Sequence, residues 1–163
     1  MKWKIRQEKD RDDDAIRDVV ERAFEGKSFA DPDDKFIVER LREDGSLVLS
    51  LVAEARGEVI GQVALSPAKV GDLKYLCVGP IAVLPDYHGK GIGSDLMGHA
   101  LGVARGYGRD GVVLLGDPNY YSRFGFKNFA DVTYDGDVGK ALQLIPFTVA
   151  PSGQVVFHPL LSG

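Results

Sequence analysis

The sequence predicts an α+β fold formed by one domain over residues 1–163. Two amphipathic helical patterns come first, and three long apolar runs rich in β-branched residues follow them. A glycine-rich turn then leads directly into a third helical pattern. Because no internal repeat and no linker rich in Pro, Gly or Ser marks a boundary, we treat the chain as a single unit.

Composition excludes several classes of protein. The chain has 163 residues, of which 44% are hydrophobic, so it is long enough to bury a core without disulfides or a structural metal. Its only cysteine, Cys77, cannot form an internal disulfide. The three histidines, His88, His99 and His158, lack the spacing of zinc ligands. We therefore expect neither a disulfide scaffold nor a metal site.

Charge and hydropathy predict the compartment and limit the partners. The N-terminal stretch lacks the apolar core of a signal peptide, and no segment approaches the ~18 apolar residues of a membrane span. We therefore expect a cytoplasmic protein with no membrane partner. The 24 acidic side chains outnumber the 20 basic ones, and aspartates crowd the first third of the chain. Since this charge repels a phosphate backbone, we expect no nucleic-acid partner.

The first third of the chain predicts one short strand and two helices. The strand candidate covers residues 3–7. Apolar residues then recur at helical spacing over residues 15–24, behind the carboxylates of residues 12–14, which favour a helix N-terminus. A second, shorter helix follows Pro32 and ends at Gly45, a residue typical of a helix C-terminal cap.

Three strands are predicted next. Residues 47–55 and 59–70 are apolar runs separated by a turn of hairpin length, which indicates an antiparallel pair. Residues 73–84 are almost continuously apolar, which indicates a strand buried on both faces in the middle of a sheet. Gly79 and Pro80 interrupt this run. Because proline lacks a backbone N–H and glycine weakens pairing, we expect the strand to bulge or to part from its neighbour there.

Segment 86–94 is a glycine-rich turn between a strand and a helix. Its glycines, at 89, 91 and 93, let several backbone N–H groups approach one point, and the helix N-terminus adds a partial positive charge. Such a turn can cradle a phosphate or pyrophosphate, although it can also be no more than a tight connection. It lacks both the P-loop and the dinucleotide motif, so a nucleotide-binding module is a remote alternative.

Two motifs in this half of the chain resemble those of one family. Gly91 and Gly93 match the small-residue positions of Q/R-x-x-G-x-G/A, the signature of the GNAT superfamily of acetyl-CoA-dependent N-acetyltransferases. His88 stands where Gln or Arg is usual. Downstream, residues 121–126 have the family's Y-x-x-x-G-F spacing, after a predicted fifth strand at 112–115. The chain is similar to the small YhbS-like branch of predicted acetyltransferases over most of its length.

The resemblance implies a GNAT fold, with a mixed, mostly antiparallel sheet that is flanked by helices and splayed between its fourth and fifth strands. Acetyl-CoA is expected to enter at the splay, and no metal is implied. The implied cofactor-binding residues lie at the end of the fourth strand and in the glycine-rich turn: Ile81, Ala82, Val83, His88, Gly89, Lys90, Gly91, Ile92, Gly93 and Ser94.

The implied reaction is direct transfer of the acetyl group to a primary amine in a ternary complex. The acceptor is a small molecule or a peptide, and a homodimer is left open. Tyr121 matches the family's general acid, which protonates the departing CoA thiolate. The alternative for Tyr121 is a packing role in an aromatic cluster with Tyr120, Phe124 and Phe126. Backbone N–H groups beside Val83 are the expected donors to the developing oxyanion.

No motif identifies the general base. The candidates are Glu54, Asp117, Glu39 and Glu43, or an ordered water. Lys90 either meets a CoA phosphate or points to solvent. A chain without a base also fits a non-catalytic acyl-CoA-binding or regulatory domain of the same fold, and turnover distinguishes the two.

Overall fold

The structure, a computed structural model, describes residues 1–161. Over that range it contains eight strands and four α-helices, with short 3-10 turns between some of them. The strands are β1 (Lys4–Gln7), β2 (Leu49–Ala55), β3 (Glu58–Val70), β4 (Leu73–Val83), β5 (Gly111–Leu115), β6 (Val132–Tyr134), β7 (Leu142–Pro146) and β8 (Gly153–Phe157). The helices are α1 (Asp13–Phe24), α2 (Ile37–Glu43), α3 (Ile92–Gly106) and α4 (Pro118–Tyr121).

The strands form one mixed sheet. Its main path runs β1-β2-β3-β4-β5-β7, and β8 pairs with β3 and with β6. The pairs β1–β2, β2–β3, β3–β8 and β5–β7 are antiparallel, whereas β4–β5 and β6–β8 are parallel. The predicted α+β class with a mixed, mostly antiparallel sheet is therefore confirmed. None of the helices within residues 1–161 combines the length and the apolar character that crossing a membrane requires.

The chain divides into two compact units. The first contains Met1–Leu65 and Gly79–Ala100, and the second contains Ser66–Val78 and residues 101–161. In the first unit the apolar faces of α1 and α2 are buried. The second unit has its own buried cluster, contributed by strands β3 to β8: Ala68, Val70, Tyr75, Cys77, Val113, Val132, Leu142, Leu144, Val155 and Phe157.

The surroundings of β4 change along its length. Burial on both faces is confirmed for residues 75–78, but it is wrong beyond them, where buried and half-buried residues alternate. In the described part of the chain, β5 pairs with β4 only at residues 75–77, opposite 111–113, while β4 continues to Val83. The predicted parting of the fourth and fifth strands is confirmed. It begins next to Gly79-Pro80, whose peptide bond is cis.

Four elements are missing from the sequence prediction: β6, β7, β8 and α4. The three strands have three, five and five residues, and such short runs carry too little periodicity to indicate a strand. β7 is extended because it pairs with β5 along its whole length. α4 is a single helical turn that begins with a capping Asp117 and with Pro118 in its first position.

A buried ion pair joins β1 to the start of α1. Of the carboxylates predicted to favour this helix N-terminus, Asp13 and Asp14 do lie in its first turn. Asp12, whose side chain is only 5% exposed, instead accepts hydrogen bonds from Nη1 and Nη2 of Arg6, at 2.7 and 3.2 Å, and from the Lys9 amide, at 2.7 Å. The hydrogen bond from Arg6 lowers the pKa of the Asp12 carboxyl.

We predict that Asp12→Asn lowers the free energy of unfolding at pH 7 by about 2 kcal/mol, because it removes a buried charge and leaves the half-buried Arg6 guanidinium less well paired. Since the folded-state pKa of Asp12 is lowered, its stabilisation is complete above the ordinary aspartate pKa of about 3.9 and is lost as the pH falls further. The difference between the two proteins should therefore shrink in acid. Urea unfolding at pH 7 and near pH 3 measures it.

The matched control is Asp14→Asn. Its side chain is 91% exposed and pairs with Arg17 at the surface, so its loss should change the free energy of unfolding by less than about 0.5 kcal/mol. Equal effects of the two substitutions at pH 7 would contradict the assignment of a stabilising role to burial.

Candidate functional site

The end of β4, the glycine-rich turn and the start of α3 form one continuous segment of the first unit. The Leu84 amide donates to the carbonyl of Ile60 in β3 at 2.9 Å, which holds the strand end in the sheet. A 3-10 turn, Pro85–Tyr87, follows. Gly89 and Gly91 then adopt φ values of +77° and +93°, a region that side chains rarely enter. The sharp path of the turn therefore depends on these two glycines.

The turn has the properties of an anion site. The first helical hydrogen bond of α3 runs from the Asp95 amide to the Gly91 carbonyl at 3.0 Å. The backbone N–H groups of the residues before Asp95 therefore lie in the first turn, where no preceding turn supplies a carbonyl acceptor. A Cβ placed on Gly89 or Gly91 would meet nothing within 4 Å. Open space, helix-end N–H groups and the positive end of the α3 dipole therefore coincide.

Close packing holds α3 against β3. A Cβ on Gly61 would lie 3.0 Å from Cδ1 of Leu96, 3.3 Å from Cγ2 of Ile92 and 3.3 Å from the carbonyl oxygen of Ala82. The missing side chain of Gly61 thus lets the first turn of α3 approach the sheet. The sequence does not indicate this role for Gly61, because a glycine inside an apolar run carries no sign of which residues pack against it.

The ten predicted cofactor-binding residues all belong to the first unit. The side chains of Ala82 and Ile92 are buried, so these residues can offer a ligand only their backbone. The half-buried members are Ile81, Val83, Gly93 and Ser94, and the exposed members are His88, Gly89, Lys90 and Gly91. His88 places Nε2 2.7 Å from the carbonyl oxygen of Val83.

Tyr121 belongs to the second unit, at the end of α4. Its ring lies against Gly116, where a Cβ would overlap the ring and come within 2.7 Å of Cδ2. Two hydrogen bonds hold the Gly116 backbone: its amide donates to the Ala141 carbonyl at 2.9 Å, and its carbonyl accepts from Nε2 of Gln143 at 3.0 Å. Gln143 is only 1% exposed. Neither Gly116 nor Gln143 belongs to a motif, so the sequence alone does not indicate their part in placing Tyr121.

The aromatic cluster considered for Tyr121 is present. The Tyr121 ring meets Tyr120 at a centroid distance of 4.9 Å and an interplanar angle of 85°, and Phe126 at 6.1 Å and 79°. Burial, assisted by Tyr120 and Asp117, raises the pKa of Tyr121 to about 12. The phenol therefore keeps its proton at neutral pH, so packing and proton donation are compatible roles for this side chain.

Three of the four candidate bases have other partners. Glu54 receives Nη2 of Arg6 at 3.2 Å and lies 3.4 Å from Nζ of Lys4, and the hydrogen bond from Arg6 lowers the pKa of its carboxyl. Glu39 pairs with Arg17. Asp117 caps α4 by accepting from the Asn119 amide at 2.9 Å. The fourth, Glu43, is exposed on α2.

Comparison with known proteins gives matches over much of the chain. A model described as the acetyltransferase (GNAT) domain matches residues 46–128. The chain is 43% identical over 104 residues to YhbS of Escherichia coli strain K12, an uncharacterised N-acetyltransferase. This alignment spans 62% of this chain and 62% of the relative, which is less than two thirds of the relative's length.

Two solved structures match nearly the whole chain. A GNAT family acetyltransferase from Brucella melitensis, in complex with acetyl-CoA, is 38% identical with a TM-score of 0.85, and the match covers 98% of this chain and 97% of that one. YhbS from Escherichia coli, in complex with CoA, is 34% identical with a TM-score of 0.87, and the match covers 98% and 92%.

We predict that Gly116→Ala displaces the Tyr121 ring, because the added methyl overlaps it. The phenol becomes more exposed, so its pKa should fall from about 12 towards the ordinary value near 10. Ring-labelled tyrosine NMR against pH measures this change. In the parent protein the Tyr121 resonance should report a protonated phenol at every pH at which the protein stays folded.

Gly102→Ala is the control, because a Cβ at this position of α3 meets nothing within 4 Å. It should leave the Tyr121 resonance unchanged. If Tyr121 titrated alike in the Gly116 variant and in the parent, Gly116 would have no part in placing the ring.

Proposed function

Because the chain belongs to the GNAT acetyltransferase family, we propose that it transfers the acetyl group of acetyl-CoA to a primary amine of a small molecule or a peptide. One observation carries the proposal: at the start of α3, backbone N–H groups and the positive helix end face open space across two glycines. The relatives solved with acetyl-CoA and with CoA support this choice of ligand.

In the proposal, CoA is bound mainly by backbone groups. The N–H groups of residues 89–94 bind the pyrophosphate, and the exposed Lys90 adds a positive charge. Residues 81–83 lie beyond the pairing of β4 with β5, so their backbone groups bind the pantetheine amides. Buried side chains at Ala82 and Ile92 support this assignment, because only their backbone can reach a ligand.

The reaction is proposed to be a direct attack in a ternary complex. The neutral acceptor amine attacks the carbonyl carbon, and backbone N–H groups near Val83 stabilise the charge that grows on the acetyl oxygen. As the C–N bond forms and the C–S bond breaks, Tyr121 gives its proton to the departing sulfur. The amine passes its surplus proton to water, and water returns one to Tyr121.

The burial of Cys77 supports direct transfer. It raises the pKa of the thiol to about 12, so the only cysteine of the chain stays protonated and is a poor nucleophile for carrying an acetyl group. Burial also raises the pKa of Tyr121 to about 12, so the phenol is protonated throughout the neutral range, as a proton donor must be.

A non-catalytic acyl-CoA-binding or regulatory domain is the second candidate. It is favoured by the partners that already occupy Glu54, Glu39 and Asp117, because a carboxylate in an ion pair or a helix cap is a weak base. In the proposed enzymatic reaction the amine arrives neutral and water accepts its surplus proton, so no carboxylate base is required.

The deciding experiment measures acetyl-CoA consumption by the purified chain over a panel of small amines and peptide N-terminal amines. Other acyl-CoA donors are included. Turnover with at least one amine is the expected result. Tight CoA binding without turnover across the panel would favour the regulatory candidate, and absence of CoA binding would overturn both.

We predict that Gly91→Val abolishes CoA binding, because a branched side chain is strained at φ +93° and would fill the space where the phosphate approaches. Calorimetric titration of CoA into a variant whose fold is verified by circular dichroism measures it. Gly108→Val is the matched control, since Gly108 has φ +90° with open space around it but lies outside the glycine-rich turn. Equal loss of affinity in both variants would make strain alone the cause.

We predict that Tyr121→Phe lowers kcat by roughly 10²–10⁴, the range for loss of a general acid, with the KM for acetyl-CoA unchanged. Tyr120→Phe is the control. It removes the neighbouring phenol from the same cluster and should leave kcat near that of the parent. Full activity of the Tyr121 variant, measured where the chemical step limits the rate, would mean that Tyr121 has only a packing role.

A further inference from the structure

The His88 side chain faces the strand that precedes it. Its Nε2 lies 2.7 Å from the carbonyl oxygen of Val83, the last residue of β4. A carbonyl oxygen only accepts hydrogen bonds, so Nε2 carries the proton. The structure thus assigns the tautomer of this histidine.

This tautomer limits what the neutral ring can do for a phosphate. With the proton on Nε2, the other ring nitrogen, Nδ1, is an acceptor and cannot donate to a phosphate oxygen. The one N–H of the side chain is already used on Val83. While the ring is neutral and bonded to Val83, it has no N–H left to donate to an anion.

The bond closes a short chain of local contacts at the end of the sheet. Leu84 is held by the Ile60 carbonyl at 2.9 Å, the Tyr87 amide donates to the Leu84 carbonyl at 2.9 Å, and the His88 amide donates to the Pro85 carbonyl at 3.2 Å. The side chain of His88 adds the connection back to Val83. Residues 83–88 are therefore anchored to β3 as a unit.

The glycine-rich turn begins immediately after this anchored unit. Gly89 and Gly91 both have positive φ, and glycine loses more backbone freedom on ordering than any other residue. A fixed starting point reduces the freedom that remains to be lost when a ligand binds, which raises affinity without a new ligand contact.

We propose that His88 is a positioning residue: through its N–H donor to Val83 it sets the start of the glycine-rich turn, and CoA affinity depends on that donor rather than on the charge of the imidazole. The inference rests on the proposed function, in which this turn binds the CoA pyrophosphate. A glutamine carries an N–H donor of similar reach, whereas leucine has similar bulk and no donor.

The first test is calorimetric titration of CoA into the parent, His88→Gln and His88→Leu. Loss of one exposed hydrogen bond should weaken CoA binding by about five-fold in the leucine variant. The glutamine variant should stay within roughly two-fold of the parent, because its donor replaces the lost one. His99→Leu is the control: this exposed histidine of α3 has its ring Nδ1 2.9 Å from the Asp95 carbonyl oxygen, and its replacement should leave affinity unchanged.

Two outcomes would overturn the inference. Parent-like affinity in His88→Leu would leave the side chain without a part in binding. Affinity as weak in His88→Gln as in His88→Leu would make the imidazole itself, turned towards the phosphate, the binding group.

The second test does not depend on CoA. Nitrogen-15 NMR of the imidazole distinguishes the two tautomers, and the free protein should show His88 protonated at Nε2. The same tautomer should persist after CoA is added. Protonation at Nδ1 in the free protein, or a change of tautomer on binding, would overturn the inference. If the parent bound no CoA, the proposed function would fail, while the free-protein spectrum would still report on the bond to Val83.

Discussion

A strand inside a sheet needs hydrogen-bond partners along both edges, and β4 has β5 as a partner over only part of its length. Burial changes at the same place, from complete burial at residues 75–78 to alternation up to Val83. Beyond residue 77, the backbone groups on that edge have no β5 partner among the described residues, and one of them, the Val83 carbonyl, accepts from His88. The turn that follows brings further N–H groups, from the start of α3, to the same stretch of chain. The proposed chemistry depends on the point at which β4 stops pairing with β5.

The fold was predictable where the signal is local. Each correct prediction came from residues close together in the chain. These signals were the helical spacing behind Asp13 and Asp14, the hairpin of β2 and β3, and the apolar run of β4. β7 was not predictable in this way. Its five residues are a strand because β5 lies beside them, and the sequence does not contain that neighbour within any short window.

The same distinction between local signals and tertiary contacts applies to the candidate site. The glycine-rich turn was found from its own residues, since positive φ at Gly89 and Gly91 is a property of the local chain. The hydrogen-bond partners of the other candidate residues could not be predicted from local sequence. That Arg6 bonds Glu54 depends on the pairing of β1 with β2, and that Gln143 holds Gly116 depends on β7. Such contacts exist only once tertiary structure has formed, so a sequence reading leaves Glu54 among the free carboxylates.

The burial of Cys77 has a practical consequence for work on this protein. A thiol reagent reacts with thiolates, and the single cysteine is kept protonated inside the folded second unit. Added to a folded sample, such a reagent should report free sulfhydryls released into solution with almost no background from the polypeptide. Added during denaturation, the reagent measures the rate at which the core around β4 opens, because Cys77 can be modified only as fast as that core exposes its sulfur atom.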